Sequence, residues 1–399
     1  MSKDFVYFVE DTDTSFVLND LKQIAKVYDR ILLFSTEKIE NKDELPKNTI
    51  VFDQFVDWKN MNLVKILFTN IFSIVRTYLM ECLALRKVLP LKTSVALLCS
   101  NFYKADQCNK VLKTLKDFNN SAPFYAFWFY DCIYLARLAE TGKAKQVYVR
   151  AHGGDLFEER SSLKGKILFR NYQLKNINKV YSVSETGTKY LQTKYPKFRH
   201  KIETAYLGSP SHDNINPFNT DDSFVLVSCA SVRNIKRIHK IAEMLQYVDF
   251  PVTWYHIGNE NLQSKKDKTI PLYIENVKNL PSNIRYVPKG NMSNVEVFQF
   301  YRDVPINLFI SLSEAEGVPV SMMEAISFGI PILSTDVGGC REIVTESTGI
   351  LIPLETEMKD IAKVISEFKI SHKNTAEYRS NVRLFWENKF DVKNTRLKI

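Results

Sequence analysis

The stretch "INLFISLSEAEGVPVSMMEAISFGIPILSTD", residues 306–336, decides the fold. Its first eight residues are apolar and β-branched enough for a buried strand, and "EAEG" leaves the carboxyl end of that strand. Pro319 fits the first position of a helix, where a missing N–H costs little. "VSMMEAISF" carries the helix, Gly329 and Pro331 stop it, and "IPILSTD" is the next strand. Free N–H groups and the helix dipole at such an amino end favour an anion, commonly a phosphate. Three carboxylates, Glu314, Glu316 and Glu324, gather there in a chain that is basic overall. Glu324 lies past the first turn, where a carboxylate can accept two hydrogen bonds, as from a pair of ribose hydroxyls. Glu316 stands at the loop, nearer the reacting end of a bound ligand. Read alone, the stretch fits equally well three solvated surface charges.

The same alternation of strand and helix runs outward in both directions. Downstream of the first 200 residues, "FVLVSCA", "VTWYHIG" and "IRYVPKG" read as strands, with "IKRIHKIAEMLQYV" and "NVEVFQFYRD" as helices. Upstream, "FVYFVE", "RILLFST", "SVALLCS", "APFYAFWFY", "QVYVRAH" and "KVYSVSE" read as strands, and "FVLNDLKQIAKVY", "DCIYLARLAE" and "TGTKYLQTKY" as helices. Between the runs lies "LGSPSHDNINPFNTDDS", residues 207–223, rich in Gly, Pro, Asn, Asp and Ser, which reads as a linker. The expected organisation is a first α/β domain over 1–208, a linker over 209–222, a second α/β domain over 223–378 and a closing helix over 379–399. Two Rossmann-like domains with parallel sheets, facing each other across a cleft, are the predicted fold class; ligands belong beyond the carboxyl ends of the strands.

Composition bounds the function. At 399 residues, 45% hydrophobic and 25% charged, the chain is globular. Its net charge of +9 suits a phosphate-bearing substrate or an anionic membrane surface. No long Lys/Arg block accompanies it, so nucleic acid is not the expected partner. The six cysteines, at 82, 99, 108, 132, 229 and 340, form no C-x-x-C pair and read as reduced thiols of a cytosolic enzyme. "MSKDFVYFVE" lacks the apolar core and cleavage site of a signal peptide. The segment from Leu63 to Lys92 is greasy, but its charge-free run, Ile66 to Val75, falls short of the roughly 20 residues that span a bilayer. Apolar residues at 63, 67, 71, 74, 78, 82 and 85 follow helical spacing. The segment is therefore either a packed amphipathic helix or a basic, greasy face resting on a membrane.

Glu316-Gly317, the six residues "VPVSMM", Glu324, then Ala325, Gly329 and Pro331 resemble the hallmark of the retaining glycosyltransferases of family 4, which have the GT-B fold. "DVGGCREIV" (336–344) and the Gly349–Leu351 step resemble the family's next signature. "VRAHGGDL" (149–156) resembles the R-x-H-x-x-D loop of its bacterial polysaccharide members, and "NVRLFWENKFD" its closing helix, which usually packs back on the first domain.

The resemblance implies roles. Glu324 would hold the donor ribose and Glu316 the donor sugar, with Glu314 a bystander. Gly317 and the backbone of Val318, Val320 and Ser321 would contact sugar or diphosphate. Pro319 replaces the usual glycine and supplies no N–H. Lys236 would neutralise the diphosphate leaving group. The usual arginine position is Ser231 here, with Arg233 or Arg237 as the substitute. His152 would stand near the donor sugar, and Arg150 and Asp155 would serve as acceptor or supporting contacts. Gly338 and Gly339 would let backbone approach the ligand closely.

The implied reaction moves a hexosyl group, with retained configuration and without a metal cofactor, from a nucleotide-diphosphate sugar to a hydroxyl. The implied acceptor is a lipid-linked oligosaccharide of O-antigen or capsule type. The implied location is cytoplasmic, peripheral on the inner face of the plasma membrane, with a weak anionic membrane surface as partner. The leaving phosphate itself can take the acceptor proton. Asp11-Thr12-Asp13 offers the alternative of an Asp-x-Asp metal site, or a polar loop touching acceptor. Two other classes stay open: a catalytically silent GT-B partner of a membrane assembly complex, and a nucleotide-sugar 2-epimerase.

Overall fold

The computed structural model describes residues 3–9, 15–40, 42–130, 132–158, 167–259 and 269–395. Among these the chain forms two compact units, divided after Ala205.

The first unit holds strands β1 (Asp4–Val9), β2 (Arg30–Ser35), β3 (Thr49–Phe52), β4 (Pro123–Ala126), β5 (Gln146–Ala151), β6 (Lys179–Ser182) and β7 (Ile202–Thr204). Its helices are α1 (Ser15–Ile24), α2 (Leu63–Leu85), α3 (Leu91–Thr114), α4 (Ile133–Glu140), α5 (Gly153–Leu156), α6 (Arg170–Asn176) and α7 (Glu185–Lys194). The strands form one parallel sheet in the order β3-β2-β1-β4-β5-β6-β7. Its core stacks Phe8, Phe34, Phe124 and Val149 against apolar residues of α3 and α4.

The second unit holds β8 (Phe224–Cys229), β9 (Val252–Ile257), β10 (Ile284–Gly290), β11 (Leu308–Ser311), β12 (Ile332–Thr335) and β13 (Gly349–Ile352). Its helices are α8 (Ile238–Leu245), α9 (Thr269–Lys278), α10 (Asn294–Asp303), α11 (Val320–Ser327), α12 (Cys340–Ile343), α13 (Met358–Lys369) and α14 (Ala376–Lys389). All strand pairings are parallel, in the order β10-β9-β8-β11-β12-β13. This is the doubly wound Rossmann order, and its switch point lies between β8 and β11. The strand that opened the sequence reading is buried on both faces. Leu308 and Ile310 enter one core with Leu226, Trp254 and Ile241, while Phe309 enters the other with Met322, Ile326 and Ile332. Helices on both faces of a parallel sheet demand such a continuous apolar run.

Several expectations are corrected. "SVALLCS" is part of α3, not a strand. A short apolar run does not distinguish strand from buried helix, and the buried positions 94, 98, 101, 102, 105, 108 and 112 carry helical spacing. The 209–222 stretch is no free linker. Asn216 donates to the carbonyls of Tyr301 (2.5 Å) and Val304 (2.7 Å), and its side-chain oxygen accepts from the Ile306 N–H (3.0 Å) and from the buried Arg379. The His212 ring stacks on Phe328 and bonds the Ser327 hydroxyl at 2.9 Å. The stretch lacks regular structure yet satisfies its polar groups inside the second unit.

The closing helix is likewise engaged there. Its Trp386 donates to the Ser209 hydroxyl (2.7 Å), and Arg379 and Arg383 hold the 212–216 stretch. These contacts lie within the second unit. In α2 the expected apolar stripe is rotated. Ile66, Ile74, Thr77 and Glu81 are the buried residues, whereas Leu63, Ile71 and Leu85 are exposed.

Candidate active site

In the second unit the loops after β8 and β11 flank the switch point. The Glu314 N–H donates to the Ile235 carbonyl at 2.8 Å and ties the two loops together. Across this tie Lys236 Nζ contacts both oxygens of Glu316, at 2.6 and 2.8 Å. Glu316 is buried and Lys236 partly so, which makes this a shielded pair that water screens less than a surface contact. The Glu314 side chain is exposed, as expected of a bystander.

The 316–318 loop rests on the loop after β12. Gly338 has φ +55°, and a Cβ there would lie 1.9 Å from the Glu316 carbonyl oxygen. At Gly339 a Cβ would lie 2.4 Å from the Gly317 oxygen, and its N–H donates to that oxygen at 2.7 Å. The close approach these glycines permit within the chain is between two loops. Gly258 does the same for the loop after β8, with a Cβ position 2.1 Å from the Ala230 oxygen beside Ser231.

Pro319 is the N-cap of α11 rather than its first helical residue, and it supplies no capping side chain. Met322 and Met323 both donate to the Pro319 carbonyl, so the N–H groups of Val320 and Ser321 precede the helical bonds. The Val318 side chain is buried in the core, which leaves only its backbone to meet a ligand. Glu324, one turn in, is buried, and its Oε1 accepts from Asn294 Nδ2 at 2.5 Å. Burial pushes its carboxyl up to about 7, opposed by that hydrogen bond. Its neighbour Cys229, at the end of β8, is pushed up to about 12, first by burial and then by Glu324.

Arg233 is exposed at the start of a single turn over Asn234–Lys236. Arg237 has φ +50° and donates to the Leu354 carbonyl (3.2 Å), so its guanidinium is committed to the loop after β13.

In the first unit His152 follows β5 and caps α5. Its backbone N–H donates to Asp155 Oδ1 (2.5 Å), and the other Asp155 oxygen accepts from the Phe129 N–H (2.6 Å). Arg170 donates to the carbonyls of Asp155 and Phe129, both at 2.8 Å. Asp155 and Arg170 therefore build the turn that carries His152. The imidazole lies 4.2 Å from the Trp128 ring and 4.7 Å from Phe127. Neither of its nitrogens is hydrogen-bonded, and Asp155 Oδ2 stands 3.9 Å from Nδ1. Burial lowers its pKa against the pull of Asp155, so the ring is neutral near pH 7. Arg150 is turned inward to Asp20 (3.4 Å), whose other oxygen accepts from the Tyr7 hydroxyl. Burial and that pairing make it an internal group, not the acceptor contact expected of it. Asp11 and Asp13 lie outside the described residues.

Asn294, Trp128, Arg170 and the role of Gly258 were not expected from sequence. Asn294 beside Ser293 and Glu296 reads only as a helix start, since Ser293 and Glu296 form a capping box. Nothing local links it to Glu324, thirty positions later.

Residues 210–385 match the model of the family glycosyl transferases group 1. The O-antigen biosynthesis glycosyltransferase WbnH of Escherichia coli is 37% identical over 82 residues, 21% of this chain and 23% of that protein. The GtfA subunit of the UDP-N-acetylglucosamine–peptide N-acetylglucosaminyltransferase of Streptococcus agalactiae is 27% identical over 199 residues, 47% of this chain and 37% of that protein. The chain thus matches well under half the length of either relative. Among solved structures, Anabaena Alr3699/HepE in complex with UDP has a TM-score of 0.68 at 14% identity, covering 98% of this chain and 97% of that one. The lipopolysaccharide outer core galactosyltransferase WaaB gives 0.68, 14%, 98% and 97%. The fold is GT-B, two Rossmann-like domains, as the motifs implied. The match to the glycosyl transferases group 1 model lies within the second unit.

Proposed function

We propose that this protein is a glycosyltransferase of cell-surface polysaccharide synthesis. It transfers a hexosyl group from a nucleotide-diphosphate sugar, with retained configuration, to a hydroxyl of a lipid-linked oligosaccharide at the inner face of the plasma membrane. The observation that carries this reading is the Lys236–Glu316 pair astride the switch point, with Glu324 buried one helical turn away.

A diphosphate at the amino end of α11 meets the N–H groups of Val320 and Ser321 and the ammonium of Lys236. Lys236 shares its charge between Glu316 and the leaving group and supplies the cation that stabilises departure, so no bound metal is required. Glu324 accepts from the ribose hydroxyls; two donors favour its ionised form and bring its pKa down from about 7 on binding. Glu316 holds the donor sugar from the other side of the loop. Arg233, exposed beside Lys236, is a second cation for the diphosphate. The neutral His152 imidazole offers a hydrogen bond to a sugar hydroxyl, and Trp128 beside it offers an aromatic face for a sugar ring.

HepE was solved with UDP and with UDP-glucose, which makes UDP-sugars the first donors to try. The test is a thermal-shift screen against UDP-, GDP-, ADP- and dTDP-sugars, followed by slow donor hydrolysis without acceptor. One donor class should raise the melting temperature, and release of nucleotide diphosphate should vanish in Glu324→Ala. Absence of stabilisation by every donor would contradict the reading. Donor binding without turnover across acceptors would point to a silent partner, and C2 inversion of free UDP-N-acetylglucosamine to an epimerase.

A further inference from the structure

Helix α2 has two unlike sides. On the inner side Ile66 and Ile74 join a cluster with Leu98, Phe102, Ile133 and Phe169. Glu81 is 2% exposed and accepts from the N–H groups of Asn171 (3.1 Å) and Tyr172 (3.0 Å), at the start of α6. That side packs the helix on its domain, although the helix is long and apolar enough to cross a membrane. On the outer side Val64, Phe68, Phe72, Val75, Leu79 and Leu83 follow steps of three and four, with Phe72 88% exposed and Leu83 76%. Val88 and Leu91 continue the exposed apolar surface past the helix end. A row of bare phenylalanines and leucines along one helix face is not ordinary surface.

We propose that this outer face of α2 lies in the headgroup region of an anionic phospholipid bilayer. The charges select that occupant. Lys65, Arg76, Arg86, Lys87 and Lys92 are exposed, whereas Glu81, the one carboxylate from 63 to 92, is buried. A cavity of about 140 Å³ borders the helix, and Arg76, Lys175 and Lys197 line it with Met80 and Phe198. Of the two acids that line it, Glu81 caps α6 and Glu140 pairs with Arg76 and Arg137. An apolar stripe edged by exposed basic side chains, of which Arg76 is paired with Glu140, fits anionic lipid. Two copies paired through this face would instead bring like charges together. The inference deepens the membrane part of the proposed function, and its test does not depend on sugar transfer.

The test is co-sedimentation of the full chain with vesicles of phosphatidylcholine alone and of phosphatidylcholine mixed with phosphatidylglycerol. The wild type should partition at least about tenfold better into the anionic vesicles, and salt should reverse much of this. Phe68→Glu with Phe72→Glu should bring binding to background, with the melting temperature and donor hydrolysis unchanged. Phe72→Ser should give an intermediate loss. The proposal is overturned if the wild type stays in the supernatant with anionic vesicles, or if the glutamate variant pellets as well as the wild type. It also falls if the wild type is a dimer that the variant breaks while vesicles leave that dimer in solution. Loss of donor hydrolysis in the wild type, with vesicle binding intact, would count against sugar transfer and leave this inference standing.

Discussion

The two sheets repeat one plan and furnish it differently. Each puts its first strand beside its fourth, and each bears candidate site residues on loops at the carboxyl ends next to that junction. In the second unit the furniture is charge: Lys236, Glu316 and Glu324, held by glycines that let two loops touch. In the first unit it is aromatic and neutral: Trp128, Phe127 and an imidazole that burial keeps uncharged. The second arrangement suits phosphate and ribose, which every nucleotide donor shares. The first suits sugar faces, which vary with the acceptor. Perturbing each side in turn therefore tests the division of labour.

The largest effect should come from Lys236→Ala. It removes the proposed leaving-group cation and leaves Glu316 buried without its partner. Donor hydrolysis and transfer should both fall by about 10²- to 10³-fold, measured as release of nucleotide diphosphate. Next is Gly338→Ala, which forces a side chain into φ +55° and against the Glu316 carbonyl. It should cost about 2–4 kcal/mol of stability in chemical denaturation and weaken donor binding as well.

Glu324→Gln separates folding from function through pH. Glu324 titrates near 7 in the native state and near 4.3 when unfolded. Between those values the unfolded chain loses its proton while the native chain keeps it, so this group's contribution falls as pH rises. The total is about 4 kcal/mol. Glutamine retains the acceptor for Asn294 and removes the buried charge. The variant should therefore melt higher than wild type at pH 8, with the difference closing toward pH 5.

On the aromatic side, Trp128→Ala should raise the acceptor KM by about tenfold, the scale of one stacking contact, with donor affinity unchanged. The smallest expected effect is that of a chelator, which should leave the transfer rate as it is.

The charged side was the legible one. Glu316, Glu324, Gly338 and Gly339 fall within 24 residues around one strand–helix–strand unit, so their spacing is local, and α11 begins one residue after the expected Pro319. The fold class followed from the alternation of strands and helices. What was not legible is non-local. Asn294 reaches Glu324 across two helices, and Arg150 finds Asp20 across the sheet. Arg237 is drawn away by a carbonyl 117 positions later. The 209–222 stretch looked free because its partners, Arg379, Arg383 and Trp386, are some 170 residues downstream. "SVALLCS" and the rotated stripe of α2 share another cause. Apolar residues mark burial only when a neighbour exists to bury them, and the neighbours of α2 cover one side.

The central claim is that the buried carboxylate of Glu324 holds the donor nucleotide. The most direct measurement is calorimetric titration of wild type and Glu324→Gln with the donor that the stability screen selects. The account predicts saturable binding by wild type that tightens as pH rises through 7, and at least about a hundredfold loss in the variant, the scale of two charge-assisted hydrogen bonds. Equal affinity of the two proteins, with no dependence on pH, would contradict it.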